Sequence, residues 1–106
     1  MCGRYDLSET GAAIMARFGV DGLAPDYQVN ADFRPTQVAP VIVLGDDGRR
    51  DVVMMRWGLI PFWAKDVRFG LKCINARAET VDTAPAFREA FRRRRALVPA
   101  GAFYEW

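Results

Sequence analysis

Histidine is absent from this chain of 106 residues. Without imidazole, neither a Ser-His nor a Cys-His nucleophile pair can be built from these residues alone. Cysteine is scarce: Cys2 and Cys73 stand far apart, and neither belongs to a metal-spaced pair. No zinc site or other metal centre is expected, and no cofactor. No apolar run approaches the length of a membrane span, and no basic-then-apolar leader opens the chain. The protein therefore reads as cytoplasmic with reduced thiols, and no membrane partner is expected. Repeats, low-complexity tracts, linkers and a βαβ rhythm are also missing. Neither sign of charge dominates, with 15 Lys and Arg against 13 Asp and Glu. That balance permits a nucleic-acid partner without demanding one, although Arg92–Arg95 forms a dense local run.

What is present is apolar and aromatic: 51% hydrophobic residues, with seven Phe, three Trp and three Tyr. This suits one domain spanning residues 1–106 that buries roughly 60–65% of its surface. Ser8 and Gly19 bracket a helix over about 8–18. Residues 20–37, rich in Gly, Pro, Asn and Asp, read as loop. Strands at 38–44 and 51–57 flank the turn Gly45–Gly48 as a hairpin, with Pro40 favouring an edge or a strand start. Residues 58–63 read as an ordered loop, 65–69 as exposed, and 71–75 as a short strand. Asp82 or Thr83 caps a second helix with Pro85 in its first turn and Phe87, Ala90 and Phe91 as its stripe. Residues 96–99 and 103–106 read as two more strands. The expected class is α+β, a mainly antiparallel sheet or partial barrel with two flanking helices. Alternating aromatics at the last residues belong inside a strand, so the chain reads as one portion of a longer fold.

Cys2 carries the most chemical information. Removal of Met1 would leave an α-amine and a thiol on one residue. Such an aminothiol condenses with an aldehyde to an imine, and the thiol closes a five-membered thiazolidine. Closure is intramolecular, with effective molarities of about 10⁵ M or more for well-aligned groups. The reference pKa values, about 7.7–8.0 for the amine and about 8.5 for the thiol, leave a useful fraction of neutral amine at pH 7. The plain alternative is a small buried hydrophobe near a chain start.

Four segments stand out together: Met1-Cys2-Gly3-Arg4-Tyr5, Arg56-Trp57-Gly58-Leu59-Ile60-Pro61, Asn75-Ala76-Arg77-Ala78-Glu79-Thr80 and Val98-Pro99-Ala100-Gly101-Ala102-Phe103-Tyr104-Glu105-Trp106. This set resembles the SOS response-associated peptidase (SRAP) family, over the whole chain. The resemblance implies a bacterial cytosolic or nucleoid protein that senses abasic sites in single-stranded DNA. It implies a covalent thiazolidine cross-link through Cys2, and removal of Met1 by an autopeptidase activity. Cys2 is then the nucleophile and Glu105 the proton shuttle. Asn75 holds the sugar or the cysteine amine, while Arg4 and Arg77 meet phosphates. Pro35 and Trp63 form an apolar wedge that stacks on flanking bases. The chain departs from the family pattern at Ala64, where a second tryptophan is common, and at Asp32, where an asparagine is common.

The family runs to about twice this length, by the resemblance rather than by domain-size priors. Its second half supplies a histidine, so a second chain or a missing C-terminal half is expected to complete the fold. Two other readings stay open at this point. One is a cysteine-type peptidase acting in trans. The other is a non-covalent single-stranded DNA binder using arginines and tryptophans. The Arg92–Arg95 run is weighed as the solvated end of a helix ahead of a DNA patch.

Overall fold

Residues 38–56 hold two apolar, β-branched runs around a Gly-Asp-Asp-Gly turn, and they fold into the longest hairpin among the described residues. In the computed structural model, which describes residues 2–105, β4 (Val38–Leu44) and β5 (Arg50–Arg56) pair antiparallel from Val38 opposite Arg56 to Leu44 opposite Arg50. Gly48 takes φ 79°, a left-handed conformation that glycine adopts without a Cβ penalty. Two short strands flank this pair. β2 (Gly22–Leu23) lies parallel to β5, and β6 (Ala96–Leu97) lies antiparallel to β4. The four-stranded sheet runs β2-β5-β4-β6. Pro40 sits inside β4, but β6 reaches only Ile42 and Val43, so Pro40 has one strand neighbour and its missing N–H breaks no ladder.

A second sheet has the order β3-β1-β7, with β1 (Tyr5–Leu7) between β3 (Asn30–Phe33) and β7 (Ala102–Phe103), both antiparallel to it. Helix α1 (Gly11–Phe18) turns Ile14 inward. Tyr5 and Leu7 from β1, Phe33 from β3, Ala39 and Ile42 from β4, and Val52 from β5 join Ile14 and Val20 in one core. Trp57 and Cys2 pack on its edge. The architecture is the expected α+β, without a closed barrel.

Several local expectations are corrected. Thr10, not Ser8, caps α1: its hydroxyl accepts from the Ala13 N–H at 3.1 Å, while Ser8 spends its hydroxyl on Asp6. The supposed loop 20–37 contains β2 and β3, each too short to show a period. Residues 71–75 are not a strand. A 3-10 helix, Val67–Lys72, ends there, capped by Asp66. Its Gly70 lies against Gly58, where an added Cβ on Gly58 would come within 2.8 Å of the Gly70 carbonyl oxygen. Gly58 also holds φ 125°, so the crossing requires glycine on both counts. Residues 82–87 form turns rather than helix, and α2 is only Arg88–Arg93. Strand β6 stops at Leu97 and β7 at Phe103, so Glu105 lies beyond the ladder. Met1 removal and the placement of Trp106 lie outside the described residues.

Burial raises the pKa of Tyr5 most among the core residues. Desolvation, with a smaller electrostatic contribution from Cys2, pushes the Tyr5 phenol up to about 12. Its folded pKa exceeds the unfolded value of about 10. The contribution is therefore complete below pH 10 and lost as pH rises through 12. Stability should fall across that window, and Tyr5→Phe should lessen the fall. Denaturant titrations at pH 9 and pH 11.5 check this. An unchanged pH dependence in Tyr5→Phe would contradict it.

Candidate functional site

Cys2 leads into β1 and is half-buried on the wall of a cavity of about 930 Å³. Asn75 lines the same wall, and its side-chain N–H donates to the Cys2 carbonyl oxygen at 2.7 Å. That bond joins residues 73 positions apart and pins the chain start to the segment 73–75. The segment is itself anchored. Trp57 Nε1 donates to the Ile74 carbonyl at 2.9 Å, and the Leu59 N–H donates to the Cys73 carbonyl at 3.1 Å. The Cys2 Sγ lies 3.7 Å from the Arg4 carbonyl oxygen, a weak thiol contact. Cys73 also lines the cavity but is buried, and desolvation raises its thiol pKa.

The third expected group, Glu105, follows the short β1–β7 ladder. Tyr5 faces Phe103, and the Tyr104 N–H donates to the Arg4 carbonyl at 3.0 Å. The ladder ends at Phe103, and Glu105 is not among the residues lining the cavity. Glu105 is exposed and makes contacts of its own.

Sequence reasoning missed the electrostatic centre beside this pair. Arg4 donates from Nε and Nη2 to the two Asp32 oxygens at 2.8 and 2.7 Å. Arg34 donates from the same two nitrogens to Asp32 Oδ2 at 3.0 and 2.8 Å. These hydrogen bonds, Arg4 first, hold the Asp32 carboxyl well below the usual carboxylate range. The Arg4 guanidinium also lies over the Tyr104 ring, 5.4 Å from its centre, and the Tyr104 hydroxyl donates to the Ala31 carbonyl at 2.9 Å. The signal that could have found this centre was the Asp32 departure itself. It was uninterpretable while residues 30–33 read as loop.

Of the expected site residues only Cys2 and Asn75 line the cavity; Arg4, Pro35, Trp63, Arg77 and Glu105 do not. Trp63 is exposed, rests edge-on against Phe69 at 5.1 Å, and points its Nε1 at the Pro85 carbonyl at 3.4 Å. Pro35 is half-buried in the β3–β4 turn, next to Thr36 at φ 76°. Arg77 is exposed and opens a turn, its carbonyl accepting from Thr80 and Val81. Of the basic run, Arg93 pairs with Glu89 at 3.3 Å and Arg95 folds over the Phe91 ring at 3.8 Å. All four arginines of the run are exposed at the end of α2, as expected, and Arg93, Arg94 and Arg95 also edge the cavity. Among the described residues no group of three metal-ligating side chains occurs, and no helix is long and apolar enough to cross a membrane.

The family model described as SOS response associated peptidase (SRAP) matches residues 1–106. The chain belongs to the SRAP family. A Bacillus subtilis protein named abasic site processing protein YoaM is 41% identical over all of this SRAP chain and 47% of its own length. The Xenopus tropicalis abasic site processing protein HMCES is 30% identical over 81% of the chain and 29% of its own. A crystal structure of a Bacteroides thetaiotaomicron protein superposes with a TM-score of 0.81 at 26% identity, covering 99% of this chain and 48% of that one. This SRAP chain thus spans about half the length of the Bacillus relatives it matches.

Proposed function

We propose that this SRAP chain captures abasic sites in single-stranded DNA as a covalent adduct on Cys2. The reading rests most on one observation, the Asn75 amide bonded to the carbonyl of a half-buried Cys2 on a cavity wall. Such a contact fixes the backbone of the reacting residue and leaves its thiol and amine to the substrate. The names of the SRAP relatives supply the substrate class.

Once Met1 is gone, by autoproteolysis in this reading, the Cys2 amine attacks the C1′ aldehyde of the opened sugar. Water leaves and an imine forms. The sulfur then adds to the imine carbon, its proton passes to nitrogen, and the thiazolidine is complete. Glu105, by the family resemblance, protonates the departing hydroxyl and accepts protons in turn, a task suited to a carboxyl group. Arg4 and Arg77 meet the flanking phosphates, where a guanidinium fork fits well. Trp63 and Pro35 stack on the neighbouring bases, at about 1–3 kcal/mol per base–aromatic contact regardless of sequence. The half of the relatives' length that this chain does not span, in the same chain or a second one, completes the surface around the cavity.

The test is incubation with single-stranded DNA carrying one abasic site, followed by denaturing electrophoresis and intact mass measurement. A slow-migrating adduct is expected, with the mass of the Met1-less chain plus the oligonucleotide minus water, and none with intact DNA. Equal salt-sensitive binding to both DNAs without an adduct would replace this reading with a non-covalent binder. Cleavage of unfolded protein that depends on Cys2 would replace it with a trans peptidase.

A further inference from the structure

Two arginine forks converge on a single carboxylate at the edge of the three-stranded sheet. Arg4 from the β1 lead-in and Arg34 from the end of β3 both present their Nε–Nη2 edge to Asp32. That edge is the one with which a guanidinium takes a phosphate bidentately. The site is built by backbone geometry rather than by chance surface pairing. Between the pairs Tyr5–Phe33 and Leu7–Asn30, β3 carries one residue more than β1, a bulge. Bulges re-aim side chains, and this one is fixed by the Asn30 side chain, which accepts the Asp32 N–H at 2.8 Å. The Tyr104 ring lies beneath Arg4 and is tethered to the Ala31 carbonyl. The groups remain reachable, with side-chain exposures of 34% for Arg4, 29% for Asp32 and 56% for Arg34.

We propose that Arg4 and Arg34 form an oxyanion site for a DNA backbone phosphodiester, and that Asp32 closes it as an internal phosphate mimic until the strand displaces it. This rests on the DNA reading above and adds Arg34 as a binding residue and Asp32 as a competitor. Phosphate entry exchanges one anion for another on the same donors. Release of the Asp32 carboxylate into water is the cost that tempers affinity at this point.

The experiment measures non-covalent binding of a labelled single strand with a tetrahydrofuran abasic analogue, which has no aldehyde, across a salt series. Asp32→Asn keeps shape and removes the charge. It should tighten binding about five- to tenfold at low salt and steepen the salt slope by about 0.7 for each additional phosphate neutralised. Asp51→Asn removes a carboxylate paired with a single arginine, Arg49, on the other sheet, and it should change affinity less than about twofold, within the range of an ordinary surface charge. The gain from Asp32→Asn should vanish in an Arg4→Ala, Arg34→Ala background. Asp32→Glu, which retains the charge, should bind no tighter than the native chain. Unchanged or weaker binding in Asp32→Asn would overturn the proposal. So would a gain that survives loss of both arginines, or an Asp32→Glu that binds as tightly as Asp32→Asn. True abasic DNA run in parallel separates the two readings. An adduct with no Asp32 effect sinks the oxyanion site alone, and an Asp32 effect with no adduct sinks the cross-link alone.

Discussion

Cys2→Ala should abolish the adduct with abasic DNA, while Cys73→Ala should leave at least half of it. The two thiols face one cavity, but their circumstances differ. Cys73 is buried, its desolvated thiol is held in the protonated form, and it carries no α-amine. It can form at most a reversible hemithioacetal with an aldehyde. Alanine at position 2 keeps the amine and still forms an imine, but hydrolysis returns it to the free aldehyde. Only the neighbouring sulfur traps the imine, with an effective molarity that can reach about 10⁵ M. Adduct surviving denaturation should therefore fall by about 100-fold or more in Cys2→Ala, the scale expected when an intramolecular trap of that strength is lost. The measurement is the adduct fraction after denaturation without borohydride. Borohydride should restore part of the Cys2→Ala adduct by reducing the imine. Stable adduct in Cys2→Ala without reductant, or its loss in Cys73→Ala, would break the assignment.

How far the sequence carried this reading depended on what kind of contact held each part. The β4–β5 hairpin was legible because strand residues and turn glycines agree over nearly twenty positions. Asn75 and Cys2 were legible as motif residues, yet nothing in their spacing announces that one side chain grips the other's carbonyl. That contact depends on Trp57 and Gly58 fixing the segment 73–75 from another element. Residues 71–75 look like a strand because Leu71, Cys73 and Asn75 alternate. The Gly58–Gly70 crossing and the Asp66 cap instead favour a 3-10 turn, a tertiary effect that overrides local propensity. Asp32 shows the same limit from the electrostatic side. Its meaning depends on a bulge in a four-residue strand, and short strands leave no period to read. The Arg93–Arg95 edge of the cavity was hidden because α2 ends at Arg93 and the residues after it follow no helical period.

Trp57 is the residue whose loss should reach both stability and capture. Its backbone extends the β4–β5 ladder, bonding the Gln37 carbonyl at 2.9 Å and accepting the Thr36 N–H at 2.9 Å. Its ring lies tilted against the Tyr5 ring with centres 5.5 Å apart, packs against the core and lines the cavity, and its Nε1 holds Ile74. Trp57→Ala should therefore cost about 3–5 kcal/mol, the range for truncating a large aromatic at a packed site. Total stability in a domain of this size is about 5–15 kcal/mol, so the variant should unfold with a midpoint roughly 15–30 °C lower. Trp57→Phe separates the two roles. It keeps much of the ring contact and loses one hydrogen bond, leaving the Ile74 carbonyl to find water, at about 1–3 kcal/mol. If the indole anchors the segment that carries Asn75, folded Trp57→Phe should still form adduct more slowly than the native chain at temperatures well below its midpoint. Adding Asn75→Ala to it should then slow capture little further, because both changes release the same grip on the Cys2 carbonyl. Thermal unfolding and single-turnover adduct rates on the native chain, the two single variants and the double variant measure both effects. Fully additive rate losses would mean that Trp57 supports the fold without positioning Asn75.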